Sequence, residues 1–269
     1  MPPVQRVRGP SFRQEYICNT IFCTCCRGLP EGPRLLTRRP LIAPKDTRLA
    51  DRPTVVLDLD ETLVYAREGP LYVRPGLEDL LLFLDDNFET VLWTAGIKHY
   101  AEAVVRHIDR HNTVHHTIYR SSAWFRGGST PKDLSLLGRD TSTTIVFENT
   151  PDSIRGFEQN GVLVADYVGG ELEDYTLAAI LGLLQDFVEC RRQNAELTVP
   201  EFIRTSCRVE QREVPTDDGD TMLCYCLLQY EDVDEHEYRG YSNPLVSNSW
   251  QRRGGAMASV THCRDVSVR

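Results

Sequence analysis

The sequence predicts an α/β fold, in which a parallel β-sheet carries helices on both of its faces. Four short apolar runs have the length and β-branched composition of buried strands, at residues 54–59, 89–93, 144–147 and 162–165. Helical patterns separate them, at residues 77–86, 98–111 and 174–190. Strands that alternate with helices in this way form parallel sheets, because each helix carries the chain back along the sheet.

The first predicted strand ends in two aspartates, Asp58 and Asp60. On a strand this spacing places both side chains on one face, and open α/β sheets build ligand sites at the carboxyl ends of their strands. Thr62 then turns the chain, and apolar Leu63 and Val64 return it to the core. One carboxylate of such a pair can bind a divalent cation and attack as a nucleophile, while the other donates a proton to a leaving group. A solvated turn or a helix cap is the alternative for an isolated Asp-x-Asp.

Residues 57–64, Leu-Asp-Leu-Asp-Glu-Thr-Leu-Val, resemble the first motif of the haloacid-dehalogenase superfamily phosphatases. Within that superfamily, these eight residues are most similar to the first motif of the small phosphatases that act on the C-terminal domain of RNA polymerase II. The resemblance implies a Rossmann-like sheet, with Asp58 as nucleophile and Asp60 as general acid and base. It also implies a threonine, a lysine and a late acidic pair further along the chain, and it covers roughly half of the sequence.

Thr94 and Lys132 stand where the resemblance requires the second and third motifs. Thr94 follows the strand at 89–93, so its hydroxyl and the free N–H groups of the next helix can hold phosphate oxygens; an ordinary helix N-cap is the alternative. Lys132 lies in Pro-Lys-Asp-Leu-Ser-Leu-Leu-Gly-Arg-Asp, which closely resembles the family's third motif, and it can neutralise a phosphoaspartate. Arg126 corresponds to a family arginine at the rim of the site, although one extra residue separates it from Lys132.

The fourth motif departs from the family pattern. The strand at 144–147 is followed by Glu148, Asn149 and Thr-Pro, where the family usually has Asp-Asp or Asp-Asn and then Ser-Pro. Asn149 maps onto a metal-ligand position, and Glu148 replaces an aspartate. Since Mg²⁺ requires nearly octahedral oxygen ligands, we expect Glu148 to reach the ion through a water or after a backbone shift. The resemblance therefore implies Mg²⁺ held by Asp58, the Asp60 carbonyl, Asn149 and Glu148.

The spacing of the motifs predicts a capless enzyme. Only 33 residues lie between Asp60 and Thr94, and 37 between Thr94 and Lys132, which leaves no room for a cap domain. Only residues 65–73 precede Arg74, so the β-rich insertion of the polymerase-tail phosphatases is missing or reduced to a single turn. An open site suits a phosphorylated protein, because the substrate itself can exclude water. We therefore do not expect the polymerase tail to be the substrate of this chain.

Composition divides the chain into a leader at 1–53, a phosphatase domain at 54–190 and a C-terminal extension at 191–269. The leader has ten Lys and Arg residues, four Asp and Glu residues and eight of the fifteen prolines, which is typical of flexible segments. The formal charge of the leader is +6 and that of the whole chain is −9, so the rest of the chain carries −15. This acidic body disfavours direct nucleic-acid binding. The extension contains a predicted hairpin over 212–227, an acidic string at 231–237, and a tail from about 240 that we expect to be disordered.

Four cysteines lie close together in the leader, flanked by apolar and basic residues: Cys18, Cys23, Cys25 and Cys26. S-acylation at these thiols would anchor the chain to a membrane surface, with the arginines attracted to anionic lipid. Zinc binding and surface thiols without a function are the alternatives, although the paired Cys-x-x-Cys spacing of zinc sites is missing. No run has the length of a transmembrane helix, and no secretory signal is recognisable. We therefore expect reduced thiols and a location on the cytoplasmic side of a membrane or in the nucleus.

Together these features predict a Mg²⁺-dependent protein phosphatase that acts on phosphoserine or phosphothreonine through a phosphoaspartate. Asp58 attacks phosphorus, Asp60 transfers the proton, and Thr94 and Lys132 hold the phosphoryl oxygens. The alternative is a binding module that keeps the fold with a degenerate site, as some relatives in protein-import machinery do. A third hypothesis, a small-metabolite phosphatase, requires a lid from the C-terminal extension or a second subunit.

Overall fold

The structure, a computed structural model, describes residues 39–67 and 69–228. Its main sheet contains seven strands: β1 (Thr54–Leu57), β4 (Glu89–Trp93), β5 (His116–Ile118), β6 (Thr144–Glu148), β7 (Gly161–Leu163), β8 (Val209–Pro215) and β9 (Thr221–Leu227). Their order is β5-β4-β1-β6-β7-β9-β8, and only the β8–β9 pair is antiparallel. The predicted parallel α/β fold is confirmed, and all four predicted strands lie in this sheet.

Four α-helices pack on the sheet: α1 (Leu77–Asn87), α2 (Lys98–Ile108), α3 (Thr176–Gln193) and α4 (Val199–Thr205). Helix α1 shows why they do so. Its buried leucines, at positions 77, 80, 81 and 84, follow the 3.6-residue period and form one apolar stripe. The first three helices match the predicted ranges to within a few residues.

Two hydrophobic cores cover the two faces of the sheet. In β1, Val55 and Leu57 belong to one core and Val56 to the other, because successive strand residues point to opposite faces. The α-helices contribute to the first core. The second is closed by short 3₁₀ turns and irregular segments that carry Trp124, Leu137 and other apolar residues. The helices on this second face are therefore 3₁₀ rather than α.

The residues on either side of the predicted phosphatase domain also pack on the sheet. In the predicted leader, Ile42 and Leu49 are buried, and the Leu41 N–H donates to the Leu136 carbonyl. Beyond residue 190, β9 pairs in parallel with β7, and β8 folds back on β9 as the sequence predicts for a hairpin. The sheet is thus wider than residues 54–190 alone would make it.

A small hairpin follows the first motif. Strands β2 (Val64–Tyr65) and β3 (Tyr72–Val73) form a separate two-stranded sheet. Residues 64–73 therefore form one short hairpin, and a polymerase-phosphatase insertion that is missing or reduced to a single turn stays a prediction.

Several predictions fall outside the described residues. These are the four clustered cysteines (Cys18, Cys23, Cys25 and Cys26), the acidic string at 231–237 and the tail from about 240. Membrane attachment through acylated cysteines therefore stays a prediction. Within the described ranges, no helix is both long and apolar enough to cross a bilayer.

Candidate active site

Asp58 lies directly after β1, which is third in the spatial order of the seven-stranded sheet. The ends of neighbouring strands therefore lie on both sides of it. Its backbone N–H donates to the Phe147 carbonyl in β6 at 3.0 Å. The side chain is only 6% exposed. The parallel register of β1 with β4 and β6 brings the second and fourth motifs to the same edge.

A tight turn after Asp58 positions the next two polar side chains. The N–H groups of Leu63 and Val64 both donate to the Leu59 carbonyl, and Glu61 adopts a positive φ of 60°. This turn buries Thr62, whose hydroxyl donates to Asp58 Oδ2 at 3.1 Å. Thr62 therefore fixes the orientation of the Asp58 carboxylate.

Lys132 joins the third and fourth motifs to Asp58. Its Nζ lies 2.6 Å from Asp58 Oδ1 and 2.5 Å from Glu148 Oε2, and all three side chains are buried. Its backbone N–H donates to the Ser153 carbonyl at 2.8 Å, which ties the lysine to the turn after Asn149. One buried ammonium thus lies between two buried carboxylates.

The electrostatics of this cluster follow from burial and from the excess of carboxylates. Burial raises the pKa of Asp58 against the opposing effect of Lys132, and the charge of Asp60 raises it further. Burial, followed by the charge of Asp58, raises the pKa of Glu148 to about 8. Burial alone would lower the pKa of Lys132, but the two carboxylates outweigh it and raise that pKa. Lys132 therefore remains an ammonium.

Asp60 is held by hydroxyl groups. Thr94 donates to Asp60 Oδ2 at 2.8 Å and accepts from the Gly96 N–H, also at 2.8 Å. Tyr100, in the first turn of α2, donates to Asp60 Oδ1 at 2.5 Å. Burial and this hydrogen bond raise the pKa of Tyr100, so the phenol stays protonated and remains a donor.

The sequence does not mark Tyr100 as a site residue, since an aromatic residue in the first turn of a helix resembles an ordinary core residue. The only available signal was its position six residues after Thr94. Arg120, two residues past the end of β5, is likewise not marked by its sequence. It donates to the Ala95 carbonyl at 2.5 Å, and its guanidinium lies over the Phe125 ring.

Asn149 is oriented from both sides. Its Oδ1 lies 3.4 Å from the Thr62 hydroxyl, which also contacts Asp58, and its Nδ2 donates to Asp166 Oδ1 at 2.9 Å. Asp166, after β7, thereby turns the amide oxygen of Asn149 toward Asp58. Carboxylate and amide oxygens are the ligand types that Mg²⁺ takes, so Asp58 and Asn149 fit such an ion.

The other two predicted side chains are placed differently. Glu148 Oε2 faces Lys132, and Oε1 lies 3.4 Å from the Thr150 N–H, so the carboxylate is engaged on the lysine side. Arg126 is exposed, and its guanidinium donates to the Ser122 carbonyl at 2.6 Å. The structure therefore brings together Asp58, Asp60, Thr94, Lys132, Glu148 and Asn149, and leaves Arg126 on a peripheral loop.

A parallel sheet with Asp-x-Asp at the end of β1, a threonine after β4 and a lysine beside the nucleophile defines the class of protein. This is the haloacid-dehalogenase-like α/β fold with its four-motif site. The chain belongs to the NLI interacting factor-like phosphatase family, whose model matches residues 53–194, more than half of its length. Its place in the small C-terminal-domain phosphatase branch is confirmed.

Two relatives illustrate the similarity. The chain is 32% identical over 170 residues to a "Probable C-terminal domain small phosphatase" of Dictyostelium discoideum, covering 56% of this chain and 55% of that protein. It is 31% identical over 192 residues to the human "Carboxy-terminal domain RNA polymerase II polypeptide A small phosphatase 1", covering 58% of this chain and 74% of the human protein. The chain thus spans about half the length of the first relative.

Solved structures are also similar to this chain, and one of them illustrates the likeness. This structure is that of Fcp1, an essential RNA polymerase II CTD phosphatase, with a TM-score of 0.45 and 16% sequence identity. The similarity covers 57% of this chain and 70% of that one.

Proposed function

We propose that this chain is a Mg²⁺-dependent phosphatase of phosphoserine and phosphothreonine in proteins, and that it acts through a phosphoaspartate on Asp58. The observation that carries the proposal is the different environment of the two aspartates. Asp58 is bound by the Lys132 ammonium, whereas Asp60 is bound by the hydroxyls of Thr94 and Tyr100. The Lys132 ammonium opposes the effect of burial on the pKa of Asp58 and so favours the ionised form that attacks, whereas neutral hydroxyls hold Asp60 in the place of the general acid and base.

In the first half-reaction, Asp58 attacks phosphorus while the bond from phosphorus to the serine or threonine oxygen breaks. Asp60 gives its proton to that leaving oxygen. Once Asp60 carries the proton, it needs fewer donors, and the Thr94 hydroxyl can bind a phosphoryl oxygen. Lys132 offsets the charge on the transferring group.

In the second half-reaction, Asp60 takes a proton from water, and the water oxygen attacks phosphorus. The bond between Asp58 and phosphorus breaks, which releases inorganic phosphate and restores both aspartates. Asp58, the Asp60 carbonyl and Asn149 would hold Mg²⁺, which supplies charge neutralisation for the phosphoryl group when bound. Glu148 acts through Lys132 in this scheme, because its carboxylate contacts the lysine.

The burial of the site argues against the alternative of a binding module. Asp58, Lys132 and Glu148 are removed from water, and burying ionised groups costs free energy even when they are paired. A module that only binds a partner gains nothing from this cost. A phosphoprotein is the favoured substrate class, because the spacing of the motifs leaves no room for a cap domain and one relative is named as a phosphatase of the RNA polymerase II carboxy-terminal domain.

The test is hydrolysis of p-nitrophenyl phosphate by the full chain, with and without Mg²⁺, beside Asp58→Asn. We expect turnover that requires Mg²⁺ and falls at least a thousandfold in the variant, with an unchanged circular dichroism spectrum. Reduction of the acid-quenched enzyme with borohydride should convert a phosphorylated Asp58 to homoserine, detectable by mass spectrometry. Full activity in Asp58→Asn would eliminate the mechanism.

A further inference from the structure

The exposed apolar side chains of the described residues are unevenly distributed. Eight large hydrophobic side chains are exposed, and five lie in two neighbouring segments: Tyr72, Val73, Val168, Leu172 and Tyr175. Leu172 is 91% exposed and Val168 57%. Concentrations of exposed apolar surface mark binding sites more often than isolated residues do. We call Tyr72, Val73, Val168 and Leu172 the docking face.

The two segments are packed together and are joined to the active site. The buried Tyr167 donates its N–H to the Glu61 carbonyl, beside Asp60, and its hydroxyl to the Val73 carbonyl. Gly169 has a φ of 88°, and a side-chain carbon added there would lie 2.9 Å from the Tyr72 ring. The loop after β7 therefore lies directly on strand β3.

The distance from the docking face to the reacting groups suits a peptide. Asp166 hydrogen-bonds Asn149 at the active site, and Leu172 follows six residues later. Six residues of fully extended chain span at most about 20 Å. A bound peptide would therefore contact the docking face within about six positions of its phosphorylated residue.

The charge around the docking face selects the chemistry of that peptide. Residues 166–174 contain four carboxylates and no basic residue. Asp174 pairs with the buried Arg74, and Asp166 accepts the Asn149 amide. Glu171 and Glu173 flank Leu172, are exposed, and form no ion pair within the described part of the chain. Leu172 is thus an apolar contact between two carboxylates available to a cation.

We propose that the docking face binds the segment of a phosphoprotein substrate next to the phosphorylated residue, and that it selects segments carrying arginine or lysine beside a large apolar side chain. The apolar side chain packs on Leu172 and Val168. The cation pairs with Glu171 and Glu173, and an arginine can also stack on the Tyr72 ring. This inference rests on the proposed phosphatase activity and deepens it.

The test compares phosphoserine peptides of one length, in which Arg-Leu-Arg lies either before or after the phosphoserine, with the same peptides carrying Glu-Ser-Glu instead. For one of the two placements we expect kcat/KM to favour Arg-Leu-Arg about tenfold, through KM, and the preference to shrink at high salt. The variant E171K/E173K should abolish this preference, and Leu172→Ser should reduce it several-fold. Glu196→Lys and Leu82→Ser, which alter exposed residues outside the docking face, should leave it unchanged.

Hydrolysis of p-nitrophenyl phosphate separates the two proposals, because so small a substrate does not extend to the docking face. Absent turnover of this compound rejects the phosphatase function itself. Normal turnover together with equal kcat/KM for both peptide types overturns only the docking face. A concentration-dependent dimer of the wild type that Leu172→Ser disrupts in analytical ultracentrifugation would show that a second copy covers this surface, and would also overturn the proposal.

Discussion

Asp60 receives two hydrogen bonds, and they come from different elements. Thr94 lies after β4 and Tyr100 in the first turn of α2, so the carboxylate is held from two directions. A carboxylate fixed by two donors does not rotate freely, and a proton-transfer group is effective only when aligned with the reacting oxygen. Tyr100 is therefore a positioning residue in the proposed mechanism.

Tyr100→Phe removes one hydrogen bond to Asp60 and keeps the ring in place. A hydrogen bond to a charged group contributes about 1.5–3 kcal/mol, so we expect kcat to fall about tenfold to a hundredfold. KM and the thermal midpoint should change little. Tyr119→Phe is the matched control, because the Tyr119 hydroxyl faces Lys98 rather than the site. Equal kcat values for wild type and Tyr100→Phe would remove this role.

The sequence predicts the site residues that lie within the motifs better than the residues that hydrogen-bond to them. Asp58, Thr94 and Lys132 follow strands or open helices, so their positions could be read from the sequence. Asp166 and Tyr100 touch the site only because β7 and α2 begin or end at the same edge of the sheet. No local pattern marks such a residue, since the contact is made by tertiary packing.

At the scale of elements, the β8–β9 hairpin connects residues outside the matched family region to the active site. The Asp217 N–H, in the hairpin turn, donates to the buried Asp152 carboxylate at 2.8 Å. Asp152 lies in the 3₁₀ turn Pro151–Ile154, in which the Ser153 carbonyl accepts the backbone N–H of Lys132. The hairpin thus supports the loop that positions Lys132.

Asp152→Ala should therefore affect catalysis as well as stability. A hydrogen bond to a charged group contributes about 1.5–3 kcal/mol, so losing the Asp152 carboxylate should lower the unfolding free energy by about that amount, measurable by urea titration. Because a small displacement of Lys132 from Asp58 slows the reaction, we also expect kcat to fall about tenfold or more. Glu213→Ala, which alters an exposed side chain of β8, is the control. A stability loss with unchanged kcat would mean that the hairpin is purely structural.

Element length explains which elements the sequence revealed. β1, β4, β6 and α1 contain buried runs or stripes long enough for a period to be recognised. β5 has three residues and begins with a histidine, so no period was visible. α4 spans only seven residues, but Thr198 and Glu201 form a capping box, which is a recognisable sequence signal for the start of a helix.

At the scale of the whole molecule, the two ends of the sheet hold buried carboxylates whose pKa values are shifted in opposite directions. At the carboxyl ends of the strands, Asp58 and Glu148 share the single Lys132, and both pKa values are raised. At the amino ends, Glu89 contacts Arg139 at 2.7 Å and lies 3.7 Å from Lys45. Burial would raise the pKa of Glu89, but the hydrogen bonds from Arg139 and His116 outweigh it and hold that pKa well below its usual range.

This difference separates a functional cluster from a stabilising one. A buried cluster with more carboxylates than cations lowers the stability of the fold, and the cluster of this kind lies at the proposed phosphatase site. The Glu89 cluster has cations in excess, lies at the opposite end of β4, and joins β4 to β1 through the Thr54 hydroxyl. Its contribution is therefore to stability, and it can be tested without measuring turnover.

Glu89→Gln keeps the shape of the side chain but leaves the buried Arg139 without its anion. Removing one partner of a buried ion pair costs about 3–5 kcal/mol, so we expect a loss of that size in the urea unfolding free energy at pH 7. Because the pKa of Glu89 is lower in the folded than in the unfolded state, its stabilisation is complete above the unfolded value of about 4.3 and is lost as the pH falls through the folded value. The difference between wild type and variant should therefore narrow below about pH 4, whereas Glu196→Gln, at an exposed site, should show no difference at either pH. A gap that stays constant from pH 7 to pH 3 would show that the charge of Glu89 is not the source of the stabilisation.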